Sequence, residues 1–199
     1  MRFYTADTHF GHANIIRYSD RPFADVDAMN AAIVATINER CGPDDELWVL
    51  GDLALGSLDD SLALIERLAP AVHLIIGNHD RPFHRKAQPT EAQRAKADRT
   101  RQRYLDAGIV SLAEHATHQI DGREVELSHF PYAGDHTEED RYAHARPTDH
   151  GRWLLCGHVH DSWRQRGRQI NVGVDVRSFT PLSETDVAEI IAAGPRDLD

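Results

Sequence analysis

Four short apolar runs, each cut off by a glycine or a polar cluster, set the rhythm of the chain. Residues 2–6 (Arg-Phe-Tyr-Thr-Ala) form the first, Leu47-Trp48-Val49-Leu50 the second, Val72 to Ile76 the third and Trp153-Leu154-Leu155-Cys156 the fourth. Runs this short, bounded by turn residues, predict buried strands. Between the early runs the apolar spacing changes. Val26, Met29, Ile33 and Ile37 fall three and four apart, the single stripe of a helix that starts near Asp25, a good N-cap. Cys41-Gly42-Pro43-Asp44-Asp45 ends that helix. Leu58, Leu62, Ile65 and Leu68 make the stripe of a second helix, with Ser57 as N-cap, Asp60 near N3 in a variant capping box, and Pro70 as its stop. Ile15, Ile16 and Tyr18 begin a further packing segment, helical or irregular.

The second half reads differently. Ala116 to Leu127 holds Asp121-Gly122 between alternating segments, a strong hairpin signal. Residues after Thr90 have helical composition, and Tyr132 to His150 is polar with no apolar period, the pattern of an active-site flap or binding loop or of a disordered excursion. Gln169 to Val174 predicts a further strand. Ser183 caps a last helix with Val187, Ile190 and Ile191 on its buried face, ended by Gly194-Pro195. Strands alternate with helices at first and hairpins follow, so the pattern predicts a mixed α/β (α+β) fold. There is no internal repeat or linker, and residues 1–199 read as one domain.

Composition narrows the class. The chain has 199 residues, 41% hydrophobic and 27% charged, as in ordinary globular proteins. No apolar run approaches the ~20 residues of a membrane span, and Met1 leads straight into a strand without a signal core. Two cysteines, Cys41 and Cys156, cannot form a disulfide framework, so a reducing, cytoplasmic setting is expected. The net charge of -10 argues against broad binding to a nucleic-acid backbone. Arg81 to Arg103 runs against that balance, with Arg81, Arg85, Lys86, Arg94, Lys96, Arg99, Arg101 and Arg103 facing only Glu91 and Asp98. It reads as a solvated helix face or as a basic lid over a phosphate-bearing substrate.

The chemistry lies where the strands stop. Gly77-Asn78-His79-Asp80 follows the third run and sets an amide, an imidazole and a carboxylate on one loop. Asp7-Thr8-His9 follows the first run, Gly51-Asp52 the second, and Gly157-His158-Val159-His160 the fourth; Ser128-His129 ends the hairpin's second strand. Asp7 and His9 lie two apart, as do His158 and His160, so in extended chain each pair points to one side. The sequence has 13 histidines; His84, His115, His118, His136, His144 and His150 take no role in this frame, and His12 lines the site or is a loop residue.

In order, the frame D-x-H, GD, GNHD, H, GHxH resembles the calcineurin-like metallophosphoesterase superfamily, over Asp7 to His160. In size the chain is similar to its compact bacterial and phage members. The resemblance implies a four-layer α-β-β-α sandwich with two mixed β-sheets. It implies a site for two divalent ions: Asp7, His9, Asp52 and His160 around one, and Asp52, Asn78, His129 and His158 around the other, with Asp52 bridging. Mixed N/O ligands without thiolate suit manganese, iron, zinc, nickel or cobalt, manganese being the first choice in vitro. His79, oriented by Asp80, is expected to donate a proton to the leaving oxygen or to hydrogen-bond a phosphate oxygen in the transition state. Tyr132, His12, Arg81 and Asn171 are candidates for the substrate side.

The expected function is phosphoester hydrolysis by a metal-bridging hydroxide, on a small phosphodiester or nucleotide, with no membrane partner. The alternatives are a phosphomonoesterase, a nuclease that uses the segment 81–103, and a metal-stabilised binding protein without turnover.

Overall fold

The computed structural model describes residues 1–135 and 141–199. The strands are β1 (Arg2–Thr5), β2 (Glu46–Leu50), β3 (Ala71–Ile75), β4 (Ser111–Ala113), β5 (His115–Ile120), β6 (Arg123–Ser128), β7 (Trp153–Cys156), β8 (Gln165–Gly167), β9 (Gln169–Asn171), β10 (Leu182–Ser183) and β11 (Arg196–Leu198). The α-helices are α1 (Ala13–Tyr18), α2 (Val26–Arg40), α3 (Leu58–Ile65), α4 (Glu91–Asp106) and α5 (Glu184–Ala193). They build a mixed α/β fold of two mixed sheets, in the orders β10-β1-β2-β3-β4 and β11-β8-β9-β7-β6-β5. In the first sheet β1 to β4 run parallel and β10 antiparallel. In the second, β6, β7 and β9 run parallel and the other pairings are antiparallel.

The period-two alternation of the runs decides the layers. Phe3, Leu47, Val49, Val72 and Leu74 face outward and join residues of α1 to α4, among them Ile15, Met29, Ile33, Leu62 and Tyr104, in one core. Their neighbours Tyr4, Leu50 and Ile75 face inward, against Val125, Leu127, Trp153, Leu155 and Ile170 of the second sheet. Val187 and Ile191 bring α5 into this second core. Leu154 and Cys156, the other face of β7, pack outward with Val159 and Trp163. This explains why β7 is apolar at every position: both of its faces are covered.

Local signals act largely as their chemistry predicts. The Asp25 side chain accepts from the Ala28 amide, Ser183 and Asp186 form a reciprocal capping box, and Thr90 with Gln93 forms another. Asp121 and Gly122 both adopt positive φ (49° and 71°), as a two-residue turn between β5 and β6 requires. Four readings change. Ser57 sits at the N-cap of α3 but its side chain makes no capping bond; Asp59 and Asp60 in the first turn complement the positive end of that helix instead. α3 ends at Ile65, and the bonds from Arg67 to Leu64 and Leu68 to Ile65 turn the chain before Pro70 is reached. Tyr18 is exposed rather than packed. β9 stops at Asn171, because Gly173 starts a single 3-10 turn over Val174–Val176.

Among the described residues no helix is long and apolar enough to cross a membrane. His136 and part of the polar stretch Tyr132–His150 lie outside the described residues. The carboxyl ends of β1, β2, β3, β6 and β7 all deliver their next residues to one rim, where open α/β sheets place their sites.

Candidate metal centre

The loops after β1 and β2 are tied together first. Asp7 donates its amide to the Gly51 carbonyl (3.0 Å) and His9 to the Asp52 carbonyl (2.9 Å). Five of the seven predicted ligands, Asp7, His9, Asp52, His158 and His160, have left-handed backbones with φ between 47° and 71°. Each such residue costs about 1–3 kcal/mol and persists only where its surroundings over-determine it, which occurs at working sites. Glycine supplies the room. A Cβ on Gly77 would stand 2.3 Å from Asp52 Oδ1, and one on Gly51 2.3 Å from His129 Nδ1.

The loops bring all seven residues to one buried place. Ligand atoms of Asp7, His9 and His160 lie within 4.8 Å of one another, and so do those of Asp7, Asp52 and His129. Asp52 stands between: its Oδ2 is 3.6 Å from His9 Nε2 and its Oδ1 is 3.6 Å from His129 Nε2. These gaps are too long for hydrogen bonds. They suit atoms that share an ion, since ligands bound at ~2.0–2.2 Å can stand up to about 4.4 Å apart.

Two observations show that the donor set fits metal ions. Both ring nitrogens of His9 are buried with no hydrogen-bond partner among the described residues, a cost that a ligand would remove. His129 Nδ1 donates to the Leu50 carbonyl (2.9 Å), so Nε2 presents a lone pair, and it faces Asn78 Oδ1 at 3.0 Å. With the ring neutral, two acceptors face each other, and a proton or a metal cation between them satisfies both.

Each half has its own support. His160 Nδ1 meets Asp175 Oδ2 at 2.9 Å, and the buried Arg21 grips both oxygens of Asp175 (2.7 and 3.0 Å) while donating to the Asp7 and Thr8 carbonyls. Across the site, His158 Nε2 meets Asp135 Oδ2 at 3.0 Å, and Asp135 is held by Arg141 at 2.9 Å and Arg146 at 3.7 Å. Such partners fix the ring orientation of a metal-binding histidine.

Burial and charge set the protonation. Burial raises the Asp7 carboxyl to about 6, against the pull of His160 and His129. Burial opposes the charged form of His160, yet its Asp175 bond and the carboxylates of Asp7 and Asp52 raise it to about 9. His9 is held well below the usual imidazole range by burial, then by His160 and Arg21.

His79 stands at the mouth. Its amide donates to Asp52 Oδ1 (2.8 Å), its ring Nε2 is 4.0 Å from Asp52 Oδ2, and its side chain is 32% exposed. Burial lowers its pKa, opposed by Asp52. Asp80 corrects an expectation. It does not orient the His79 ring; its carboxylate accepts from the amides of Asp52, Leu53 and Gly77 (2.9, 3.1 and 2.8 Å) and so binds the β2 loop to the β3 loop. His12 comes close, its ring 5.4 Å from that of His9. Arg81 donates to the Gly56 carbonyl near the mouth. Tyr132 and Asn171 are not on the substrate side: Tyr132 donates to Glu126, and the buried Asn171 braces the carbonyls of His160 and Trp163.

Arg21, Asp135 and Asp175 escaped the sequence reading. Only Asp175 carried a signal, as a lone carboxylate between Val174 and Val176.

Residues 3–179 match the model of the calcineurin-like phosphoesterase superfamily domain. The chain is 34% identical over 192 residues to the Gene 66 protein of Mycobacterium phage D29, covering 91% of this chain and 92% of that protein. It is 33% identical over 184 residues to the Gene 66 protein of Mycobacterium phage L5, covering 86% and 85%. Among solved structures it resembles the protein of unknown function AQ665 from Aquifex aeolicus, with a TM-score of 0.69, 23% identity, and coverage of 96% of this chain and 98% of that one. That last likeness concerns the fold alone.

Proposed function

The chain belongs to the calcineurin-like phosphoesterase superfamily and is a metal-dependent phosphoesterase; on that premise we propose that it is a phosphodiesterase acting on small esters or nucleotides with two divalent ions. The observation that carries this reading is Asp52, whose two oxygens address the His9 side and the His129 side separately. Asp7, His9, Asp52 and His160 would hold one ion; Asp52, Asn78, His129 and His158 would hold the other. Manganese is the first choice, with iron, zinc, nickel and cobalt sharing the same ligand preferences. When bound, the pair supplies a hydroxide at neutral pH and offsets charge on the phosphoryl oxygens.

The chain's own residues do the rest. Two divalent ions bring +4 and the carboxylates of Asp7 and Asp52 bring -2, so the ligand shell stays positive toward an anionic substrate. Left-handed loops, glycines and the Asp80 clasp hold the ligands in place before substrate arrives, which favours a transition state over its flexible alternatives. His79 sits where it can reach a departing oxygen, and its Nε2 gives that oxygen a proton. Both cysteines are free and buried, consistent with a reducing compartment.

The test is hydrolysis of bis-p-nitrophenyl phosphate beside p-nitrophenyl phosphate, with manganese and a chelator control. The expected result is chelator-sensitive turnover with the diester preferred. Preference for the monoester would replace this reading with a phosphomonoesterase. Two bound ions without turnover of either ester would favour a binding protein.

A further inference from the structure

A cavity of about 530 Å³ adjoins the metal centre and shares Asn78 and His79 with it. Arg81, Arg85, Lys86 and Lys96 line it, together with Phe83 and Pro89. The one carboxylate in its wall is Asp80, whose oxygens are taken by three backbone amides. Among the described residues none of these four cations meets a carboxylate at ion-pair distance, whereas Arg103, farther along α4, is paired with Asp59. A chain of net charge -10 thus gathers unpaired positive charge at one opening.

We propose that this cavity is the leaving-group subsite and that it takes a nucleotide: an alcohol that carries a phosphate of its own. The inference rests on the function proposed above and deepens it. A residue that protonates the departing oxygen must face the departing group, and His79 opens onto this cavity rather than onto bare solvent. The cations address the second phosphate, and the half-buried Phe83, whose ring also packs against Phe130, Tyr142 and His144, gives the wall an aromatic side chain for the base. The volume lies within the range of small-molecule sites. In the reaction, water oxygen bonds to phosphorus and loses a proton to solvent, the bond from phosphorus to the nucleotide oxygen breaks, the His79 proton goes to that oxygen, and solvent returns a proton to His79. The products are a phosphomonoester and a nucleotide with a free hydroxyl and its own phosphate intact.

The experiment compares three dithymidine diesters: one without a terminal phosphate, one with a 3′-phosphate and one with a 5′-phosphate. One phosphorylated form should be cleaved with kcat/KM about tenfold higher, the effect of one charge-assisted hydrogen bond. Its products should show the phosphorylated nucleoside leaving as the alcohol. Arg85→Ala with Lys96→Ala should erase the preference through KM. Equal kcat/KM for all three, or a preference kept by the double variant, would overturn the proposal. So would a kcat/KM that climbs with oligonucleotide length beyond the dinucleotide, since that marks an extended nucleic-acid surface. A separate titration reads the cavity without catalysis: metal-free protein should bind thymidine 3′,5′-bisphosphate more tightly than thymidine, and the double variant should not. Hydrolysis of no diester together with that binding difference would sink the phosphodiesterase reading and spare the anion subsite. Turnover of the diesters without the difference would do the reverse.

Discussion

On one side of Asp52, His160 leans on Asp175, and Asp175 is gripped by Arg21, whose side chain has no exposure. On the other, His158 leans on Asp135, and Asp135 is held by Arg141, one-third exposed, and Arg146, nearly buried. The ligand chemistry is alike on both sides, but the scaffolds differ. Arg21 follows α1 and also donates to the Asp7 and Thr8 carbonyls, and Asp175 lies within the short turn Val174–Val176. Asp135 and its arginines belong to the long polar connection between β6 and β7. Two ion sites of similar donors can therefore differ in firmness, because firmness comes from what stands behind the ligands. The His129 and His158 side should be the first to give up its ion.

The largest expected effect removes the comparison altogether. Asp52→Ala deletes the carboxylate common to both halves. It should cut metal content to well below one ion per chain and lower diester turnover by about 10³-fold or more, since several kcal/mol of charge stabilisation go with the ions. Metal analysis beside steady-state kinetics checks this. Next is His79→Ala, which touches neither scaffold: both ions should stay, while turnover falls by roughly 10²–10⁴. Normal turnover in that variant would end its role as proton donor.

The scaffolds themselves come third. Asp135→Asn and Asp175→Asn should each weaken one ion by roughly 10–100-fold, the usual effect of losing a partner behind a metal-binding histidine. Competition with a chromophoric chelator should show the weaker ion fall further in Asp135→Asn and the tighter one in Asp175→Asn. Their stabilities should part as well. Asp175→Asn strands the fully buried Arg21 charge, a loss of about 3–5 kcal/mol visible in thermal unfolding. In Asp135→Asn, Arg141 is one-third exposed and Arg146 keeps its bonds to the Arg141 and Pro131 carbonyls, so the loss should be smaller than in Asp175→Asn.

The smallest effect is in pH. In metal-free protein, Asp7 releases its proton near 6 and His160 near 9. Both must be deprotonated to hold an ion, so affinity on their side should rise with pH through that window and level off above it. In Asp175→Asn the upper limb of the rise should move toward the ordinary imidazole range near ~6.5. An unchanged profile would mean that Asp175 does not set the His160 proton.

The sequence pointed to the candidate ligands but not to what steadies them, for physical reasons. Asp7, His9, Asp52, Asn78, His129, His158 and His160 each follow an apolar run, so local pattern was enough to place them at strand ends; the alternation of those runs predicted a mixed α/β fold, and the sandwich was what the family resemblance implied. Arg21 and Asp175 are 154 positions apart and meet only because β1 and β9 end at the same rim. No local pattern encodes such a pair. Asp80 was misread because its neighbour in sequence is an imidazole, whereas the fold offers it three unpaired amides on converging loops. Left-handed backbone at five ligands was equally out of view, since aspartate and histidine adopt it without any sequence mark such as glycine leaves.

The most direct measurement is an anomalous-difference map from crystals of the protein loaded with manganese. The account predicts two peaks about 3.5–4 Å apart, one beside Asp7, His9 and His160, the other beside Asn78, His129 and His158, with one Asp52 oxygen turned to each. A single peak at saturating manganese, or two peaks that do not share Asp52, would contradict it.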